Sequence, residues 1–343
     1  MRLDPDLRDY EVIGTHFDPL ELAKSDIEKR FLVPKAADRA AYLEAHLKLI
    51  RRFDVGILIA NSDKEVAAFA SIADELPCRH LLPDETLTEA VQDKLRFHRI
   101  LKNHGCATVP NVALEDHTGL GEAVKALGPR EKFWIRLRSG AGSVGATWLN
   151  NAEQAEKWVE LWCTLRGFER KDFILAEFLP GRDFNVSTLY QNGEHVVGKV
   201  YERLSYWHSD VSMSGMGSTP NSSVTVADIE PIRRANHAVE AVCAEFRMRP
   251  HGYFNVDLKC NAQGDPFVTE INIGRFPMTS PQHDRVGRHN LLKLYLQLVQ
   301  NSNSELPRGV FDVDPGIYIL RGPDMPVTFV TAAAMDALKQ ATP

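Results

Sequence analysis

The chain has 343 residues, enough for two or three domains, with 44% hydrophobic and 25% charged residues, the balance of an ordinary globular protein. Its formal net charge of −6 contains no basic block, which argues against nucleic acid, and no apolar run approaches the roughly 18 residues a membrane span needs. The start MRLDPDLRDYEVIG lacks an apolar signal core, and five scattered cysteines without a C-x-x-C pair point to buried thiols in a cytoplasmic protein rather than disulfides or zinc.

In chain order, YEVIGTHFDP reads as a strand and loop and DRAAYLEAHLKLIRRF as an amphipathic helix starting at Asp38. VGILIA follows as a buried strand, DKEVAAFASIADEL as a helix capped by Asp63, and CRHLLP as another short strand. This alternation predicts a parallel α/β layer, one whose usual opening strand and glycine-rich turn are missing. TLTEAVQDKLRFHRILKNHG reads as one long helix ended by Gly105. FWIRLR and ATWL read as strands flanking a glycine loop, followed by a helix from about Asn151.

Residues 172–204 read as two or three strands with turns at Pro180-Gly181 and Asn192-Gly193. The Gly/Ser-rich SYWHSDVSMSGMGSTPNSS reads as a loop over a site, and Asp228 to Arg247 as a helix. Two further strands, the helix HNLLKLYLQLVQ and a final strand and turn in GIYILRGPDMPV complete a mixed α/β chain, α+β in its sheets.

Two stretches carry chemistry. RLRSGAGSVGA contains G-x-G-x-x-G, the spacing of a dinucleotide fingerprint, but the residues after it, ATWLNN, are a strand and a turn. That context fails the dinucleotide test and fits a flap whose backbone N–H groups cover phosphates. Arg136 and Arg138 share one face of the leading strand, so one of them can reach the same phosphates.

The second stretch is HGYFNVDLKCNAQGDPFVTEINIGRF. A hairpin centred between Gln263 and Gly264 pairs Asp257 with Glu270 and Asn255 with Asn272 on one face. Phe254, Val256, Leu258, Phe267 and Ile271 are then expected on the other. Two opposed carboxylates destabilise a sheet unless a cation lies between them, and oxygen donors of this kind suit Mg²⁺.

Four motifs, in order, resemble those of the ATP-grasp superfamily, most closely the carbamoyl phosphate synthetase large subunit and biotin carboxylase. They are DKLRFHRILKNHGCATVP, FWIRLRSGAGSVGA, ILAEFLPGRDFNVSTL and GYFNVDL with DPFVTEINIGRF, within a resemblance running from about Asp54 to Val299. It implies an ATP-grasp fold after a truncated Rossmann-like domain: residues 1–93 pre-ATP-grasp, 94–180 the small subdomain with the flap, 181–300 the large subdomain with the metal site, and 301–343 an extension.

By this resemblance Lys94 and Arg136 hold the ATP phosphates under the loop of Gly140, Gly142, Ser143 and Gly145. Glu177, Phe178 and Leu179 line the adenine slot, and Asp183 takes the ribose. Asp257, Glu270 and Asn272 bind Mg²⁺, for which Mn²⁺ can substitute, while Arg275 and, more weakly, Arg203 act beside the transferred phosphoryl. Arg136 stands where the family usually has Lys, Asp183 where it has Glu, and Arg275 lies one residue further from Glu270 than usual. The implied activity is ATP-dependent activation of a small-molecule carboxylate as an acyl phosphate for attack by an amine, in a chain compatible with a homodimer. A non-catalytic ATP-binding protein on this fold and a nicotinamide-dependent oxidoreductase are the rival readings. His208, Ser212, Ser214, His283, Arg285, Arg288 and Arg321 are candidates for facing the acceptor, though each reads more simply as a solvated side chain.

Overall fold

The structure, a computed structural model, describes residues 10–115, 119–140, 142–210, 212–217, 219–277, 279–301, 305–322 and 325–340. Ala141 of the flap and the turn at 323–324 fall outside the described residues.

The chain opens with a parallel pair, β1 (Ile13–His16) and β2 (Lys29–Leu32), joined through α1 (Pro19–Ala23). In α2 (Arg39–Phe53) the Asp38 carboxylate caps Ala41 N–H, and Tyr42, His46 and Ile50 fall on the buried face at helical spacing. The apolar run 55–60 is packed as expected, with Leu58 and Ala60 buried, but it makes only one parallel bridge, Ile57 to Arg79. Main-chain contact there is confined to Leu58 N–H on Arg79 O and Arg79 N–H on Gly56 O, so neither expected strand forms a ladder.

Helix α3 (Asp63–Ala70) is capped by Ser62, whose hydroxyl accepts Glu65 N–H, and not by Asp63. That shift leaves the Asp63 carboxylate available to another partner. The expected long helix is two, α4 (Glu85–Gln92) and α5 (Lys94–Asn103). Asp93 interrupts them at φ −85° and ψ 99°, and its carboxylate caps Leu95 and Arg96 N–H while accepting the Arg138 guanidinium. Side-chain capping has outcompeted helix continuation.

A four-stranded antiparallel sheet follows, in the order β3 (Asn111–Ala113), β6 (Phe173–Glu177), β4 (Phe133–Leu137), β5 (Thr147–Leu149). Phe133, Ile135, Leu137, Phe173 and Leu175 bury one face against α6 (Leu120–Leu127) and α7 (Ala152–Arg166). By the period of two, Trp134 and Arg136 stand on the other.

Pro180-Gly181 does not close a hairpin; it carries the chain from this sheet to the next. Only glycine fits, since a Cβ at Gly181 would lie 2.7 Å from Cys260 Cβ and 2.8 Å from Asn261 O. Asn192 and Gly193, at φ 51° and 95°, do form the tight turn between β7 (Asp183–Gln191) and β8 (Glu194–Tyr206).

The eight-stranded sheet runs β11 (Pro266–Ile273), β10 (Gly252–Cys260), β7, β8, β9 (Pro220–Thr225), β13 (Ile317–Gly322), β14 (Met325–Thr331), with β12 (Val310–Phe311) parallel to β8. The C-terminal hairpin therefore continues the main sheet instead of standing apart from it. One face buries Phe184, Val186, Val200, Phe254, Val256, Leu258 and Ile271 against α4, α5 and α8 (Ile229–Glu245). On the opposite face α10 (Leu291–Val299) covers Leu189, Val197 and Tyr253. The short α9 (Ser280–His283) precedes α10, and α11 (Ala332–Gln340) ends the chain.

The expected hairpin register is observed, Asp257 opposite Glu270 and Asn255 opposite Asn272. It shifts at the next residue, where Leu258 pairs Val268 and Thr269 is left as a bulge. Val268 consequently joins the core, and Phe267, expected there, packs instead beside Trp134, Val109 and Leu179. No helix among the described residues is long and apolar enough to cross a membrane.

Candidate active site

The polar face of the large sheet and the outer face of the small sheet enclose a cavity of ≈ 200 Å³. Val109, Trp134, Ala176, Phe178, Leu179 and Leu258 line an apolar end. Lys94, Arg136, Asp183, Arg203, Asp257 and Glu270 line a charged end. Such a cleft accepts a ligand with one flat apolar part and one anionic part.

At the charged end Lys94 opens α5, and its N–H donates to Arg138 O at 3.0 Å, which fixes the helix start on the small sheet. Its ammonium reaches Gly140 O at 2.7 Å and Glu270 at 3.5 Å. Burial lowers the Lys94 pKa and Glu270 opposes the change. Arg136 lies on β4 and donates to His98 Nε2 at 3.0 Å and to Thr269 O at 3.3 Å. Its Nε is buried without a partner among the described residues.

His98 was not singled out in the sequence, although it lies four residues after Lys94 on the same helix face. Burial, then the Arg136 and Lys94 charges, hold its pKa well below the ordinary value. The imidazole is therefore neutral. Accepting from Arg136 at Nε2, it carries its proton on Nδ1, 2.7 Å from Thr108 Oγ1. The Arg136 guanidinium thus has an acceptor for an N–H that a lysine at this position would not offer. Arg138, the other arginine of the strand, is drawn off by Asp93 at 2.7 Å and Glu115 at 2.9 Å and does not line the cavity.

Asp257 Oδ1 accepts from Asn185 at 2.8 Å and Arg203 at 3.0 Å, and Oδ2 from Asn272 at 3.3 Å. Burial raises its pKa, Arg203 opposes that, and Glu270 adds to it as a like charge. Asp183 is held by Arg203, by Tyr206 at 2.8 Å and by Lys259 at 3.5 Å, so its two oxygens already serve three partners. Burial opposes the charge on Arg203, but Asp183 and Asp257 raise its pKa well above the ordinary value.

Asn272 and Arg275 lie behind the cavity wall rather than on it. Arg275 donates to Asn272 Oδ1 and to both oxygens of Asp63, the first residue of α3. Asn272, an expected ligand, turns its Nδ2 to Asp257 and its Oδ1 to Arg275, which leaves the Asp257 and Glu270 carboxylates as an all-oxygen donor set. With two carboxylates face to face, it fits a cation such as Mg²⁺ whose remaining ligands are waters and phosphate oxygens. Among the described residues no group of three or more His, Cys, Asp or Glu forms a closed metal cage.

The glycine loop joins β4 to β5 directly, and α7 begins only at Ala152, which is not the geometry of a dinucleotide fingerprint. Gly140, Gly142, Ser143 and Gly145 all have positive φ, and the first three line the cavity. Gly145 instead turns the loop back. A Cβ there would lie 3.3 Å from Leu137, and its carbonyl accepts the Trp158 indole N–H at 3.0 Å. At the apolar end Glu177 pairs with Arg130 at 3.0 Å and its N–H bonds Pro110 O.

Of the acceptor candidates, His208, Arg285 and Arg288 are exposed and His283 is buried. Ser214 is also buried, its hydroxyl on Met216 O at 3.1 Å, and Ser212 bonds it at 2.9 Å. The loop that carries them touches the flap through Thr147 Oγ1 on Met213 O, 3.3 Å, and contributes Met216 and Gly217 to the cavity.

Comparison with known proteins places this geometry. The structure is similar to N5-carboxyaminoimidazole synthetase from Staphylococcus aureus complexed with ADP, with a TM-score of 0.68 at 14% identity over 91% of this chain and 75% of that one. It is similar to a biotin carboxylase–β,γ-ATP complex from Campylobacter jejuni, with a TM-score of 0.66 at 13% identity over 89% and 68%. It is also similar to L-amino acid ligase from Bacillus licheniformis, with a TM-score of 0.61 at 14% identity over 85% and 67%. No curated protein matches the sequence. A family model described as an ATP-grasp domain matches residues 91–277, more than half of the chain. The flap, the carboxylate hairpin and the cleft between them all fall within that match, and the chain belongs to the ATP-grasp family.

Proposed function

We propose that the protein is an ATP-dependent ligase that activates a small-molecule carboxylate as an acyl phosphate and transfers the acyl group to an amine. The observation that carries this reading is the opposition of Asp257 and Glu270 in register, beside Lys94 and Arg136 in the same cavity. Adenine occupies the apolar end over Glu177, Phe178 and Leu179, and Asp183 faces the ribose. The phosphates meet Lys94, Arg136 and the loop Gly140–Gly145. Asp257 and Glu270 would hold Mg²⁺, with Asn272 positioning Asp257 through its amide N–H, and the ion would supply charge neutralisation at the phosphates.

An oxygen of the substrate carboxylate attacks the γ-phosphorus in line as the bond to the β-phosphate oxygen breaks and ADP leaves. The amine nitrogen then attacks the acyl carbon, phosphate departs, and the nitrogen loses a proton. Lys94 and Arg136 steady the negative charge of the first step without themselves exchanging protons. Arg275 and Arg203 orient the carboxylate-bearing region, Arg275 through Asn272 and Arg203 through Asp257 and Asp183. Within this reading residues 1–93, 94–180 and 181–300 are three functional units, and 301–343, expected as a separate extension, joins the third through β12, β13 and β14.

A panel of small acids and amines with saturating MgATP tests the proposal through ADP and phosphate release. Release with at least one pair supports it. Tight MgATP binding with no release across the panel sinks it in favour of a non-catalytic nucleotide-binding protein, a reading that the engagement of Arg275 by Asp63 outside the cavity keeps in play.

A further inference from the structure

Of the arginines at or behind the charged end, three are held by carboxylates. Arg138 has Asp93 and Glu115, Arg203 has Asp183 and Asp257, and Arg275 has Asp63. Arg136 is different. Among the described residues its acceptors are both neutral, the His98 ring at 3.0 Å and the Thr269 carbonyl at 3.3 Å. Glu270 acts on it through space, opposing the lowering of its pKa by burial. Both neutral acceptors bond one nitrogen, Nη2, which leaves the rest of the guanidinium fork to the cavity that Arg136 lines. Its Nε, buried with no partner among the described residues, is a donor still to be satisfied.

The tether is itself fixed. His98 is 2% exposed and sits one turn after Lys94 in α5. A guanidinium only donates, so Nε2 is the accepting nitrogen and the ring proton stands on Nδ1, 2.7 Å from Thr108 Oγ1. Thr108 forms a parallel bridge to Val268, the residue before Thr269. Thr269 is the bulge of the carboxylate hairpin, and its hydroxyl donates to Asp257 O at 3.1 Å. Arg136, on the small sheet, is therefore joined to the large sheet at Thr269 and to α5 at His98, with Thr108 closing the ring between them.

The charge of the acceptor decides what the arginine is free to do. Arg138, from the same strand, is bound by two carboxylates and does not line the cavity. A carboxylate in place of His98 would hold Arg136 more strongly, but it would offset the positive charge and compete with any incoming anion. A neutral ring fixes the direction of the fork and leaves its charge in place. Burial, then the Arg136 and Lys94 charges, keep His98 in that neutral form.

We propose that His98 is a positioning residue for phosphate capture: its Nε2, accepting from Nη2, aims the Arg136 guanidinium at the nucleotide phosphates without neutralising it. This rests on the ligase reading above, which brings the phosphates to Arg136. The two residues act as a pair. A lysine at position 136 would meet the phosphates as a point charge on a flexible stem, with no planar fork to aim, and the acceptor at His98 would then have nothing to orient.

The test is calorimetric titration of MgADP into the full chain in four forms: wild type, His98→Leu, Arg136→Lys and the double variant. His98→Leu should weaken binding about tenfold in the wild-type background, the scale of one charge-assisted hydrogen bond, and less than about twofold in the Arg136→Lys background. His98→Gln places a neutral acceptor where Nε2 stands and should recover most of the loss, a rescue that a packing role would not give. Equal loss in both backgrounds, no loss in either, or no rescue by His98→Gln overturns the positioning role. Long-range ¹H–¹⁵N spectra of the wild-type chain, after sequential assignment, decide independently of how any variant folds: the His98 proton is expected on Nδ1, and a proton on Nε2 overturns the proposal. Failure of the wild-type chain to bind MgADP overturns the ligase reading, whereas tight binding with an additive cycle leaves that reading standing and removes only the part given to His98.

Discussion

The carboxylate of Asp63 accepts from Nε and, at 3.1 Å, from Nη2 of Arg275, 212 residues away, and the same Nη2 reaches Asn272. The first residue of α3, in the N-terminal segment, thereby holds the arginine behind the carboxylate hairpin. Both side chains are largely buried, at 26% and 16% exposure, so removing one partner strands the other charge. Asp63→Ala should lower unfolding free energy by roughly 1–3 kcal/mol. Urea titrations of Asp63→Ala, Arg275→Met and the double variant form the cycle that checks it. Additive single effects would show that the pair contributes nothing.

Glu270 faces Asp257 in register and lies 3.5 Å from Lys94. If the pair holds a divalent cation, Glu270→Gln should reduce ADP affinity at least about tenfold in Mg²⁺. In EDTA the same change should leave affinity equal or higher, since it removes a negative charge near the phosphates. Calorimetry in both buffers separates these effects. An equal loss with and without Mg²⁺ would assign Glu270 to nucleotide contact alone.

The flap is shaped by Gly145, at φ 67° with Leu137 3.3 Å from a would-be Cβ, and by the Trp158 hydrogen bond to its carbonyl. Gly145→Ala should cost about 1–2 kcal/mol through backbone strain and crowding. Trp158→Phe should cost about 1 kcal/mol and raise amide exchange across residues 142–147. Unchanged exchange in that variant would mean the indole does not hold the loop.

Buried histidines give stability a pH slope, since burial holds His46, His98, His195, His251 and His283 below the ordinary value. The ordinary histidine pKa is 6.5, while His98 is held well below it and His283 at about 3. Below pH 6.5 the unfolded chain binds protons that these folded rings refuse, so stability falls as pH falls, by roughly 1.4 kcal/mol per pH unit for each ring. Asp257 and Asp284, with raised pKa values, act in the opposite sense only as pH approaches the carboxylate range. Thermal denaturation of His283→Asn between pH 7.5 and pH 5 should show a flatter dependence than the wild-type chain. Parallel curves for the two would show that His283 is protonated in the fold.

Local chemistry made the hairpin register and the strand–loop–strand of the flap legible in the sequence. Alternation fixed the faces, and turn residues fixed the ends. Competition was not legible. Ser62 took the cap assigned to Asp63, Asp93 broke a helix whose propensity ran through it, and the Thr269 bulge moved Phe267 to the other face. Each outcome depends on a partner distant in sequence, such as Arg275 for Asp63 or Arg138 for Asp93. His98 could have been found from its spacing to Lys94, but its role needs Arg136 beside it, and no helical pattern announces a residue on a remote strand.

The base of the glycine loop is tied to α5 at three points: Lys94 N–H on Arg138 O, the Asp93–Arg138 ion pair, and the Lys94 ammonium on Gly140 O. The first two are structural, but the third uses the same ammonium that faces Glu270 in the cavity. An anion arriving there meets the third N–H of the same ammonium, whose other two face Gly140 O and Glu270. The contents of the site and the position of the loop are thereby coupled through one nitrogen atom.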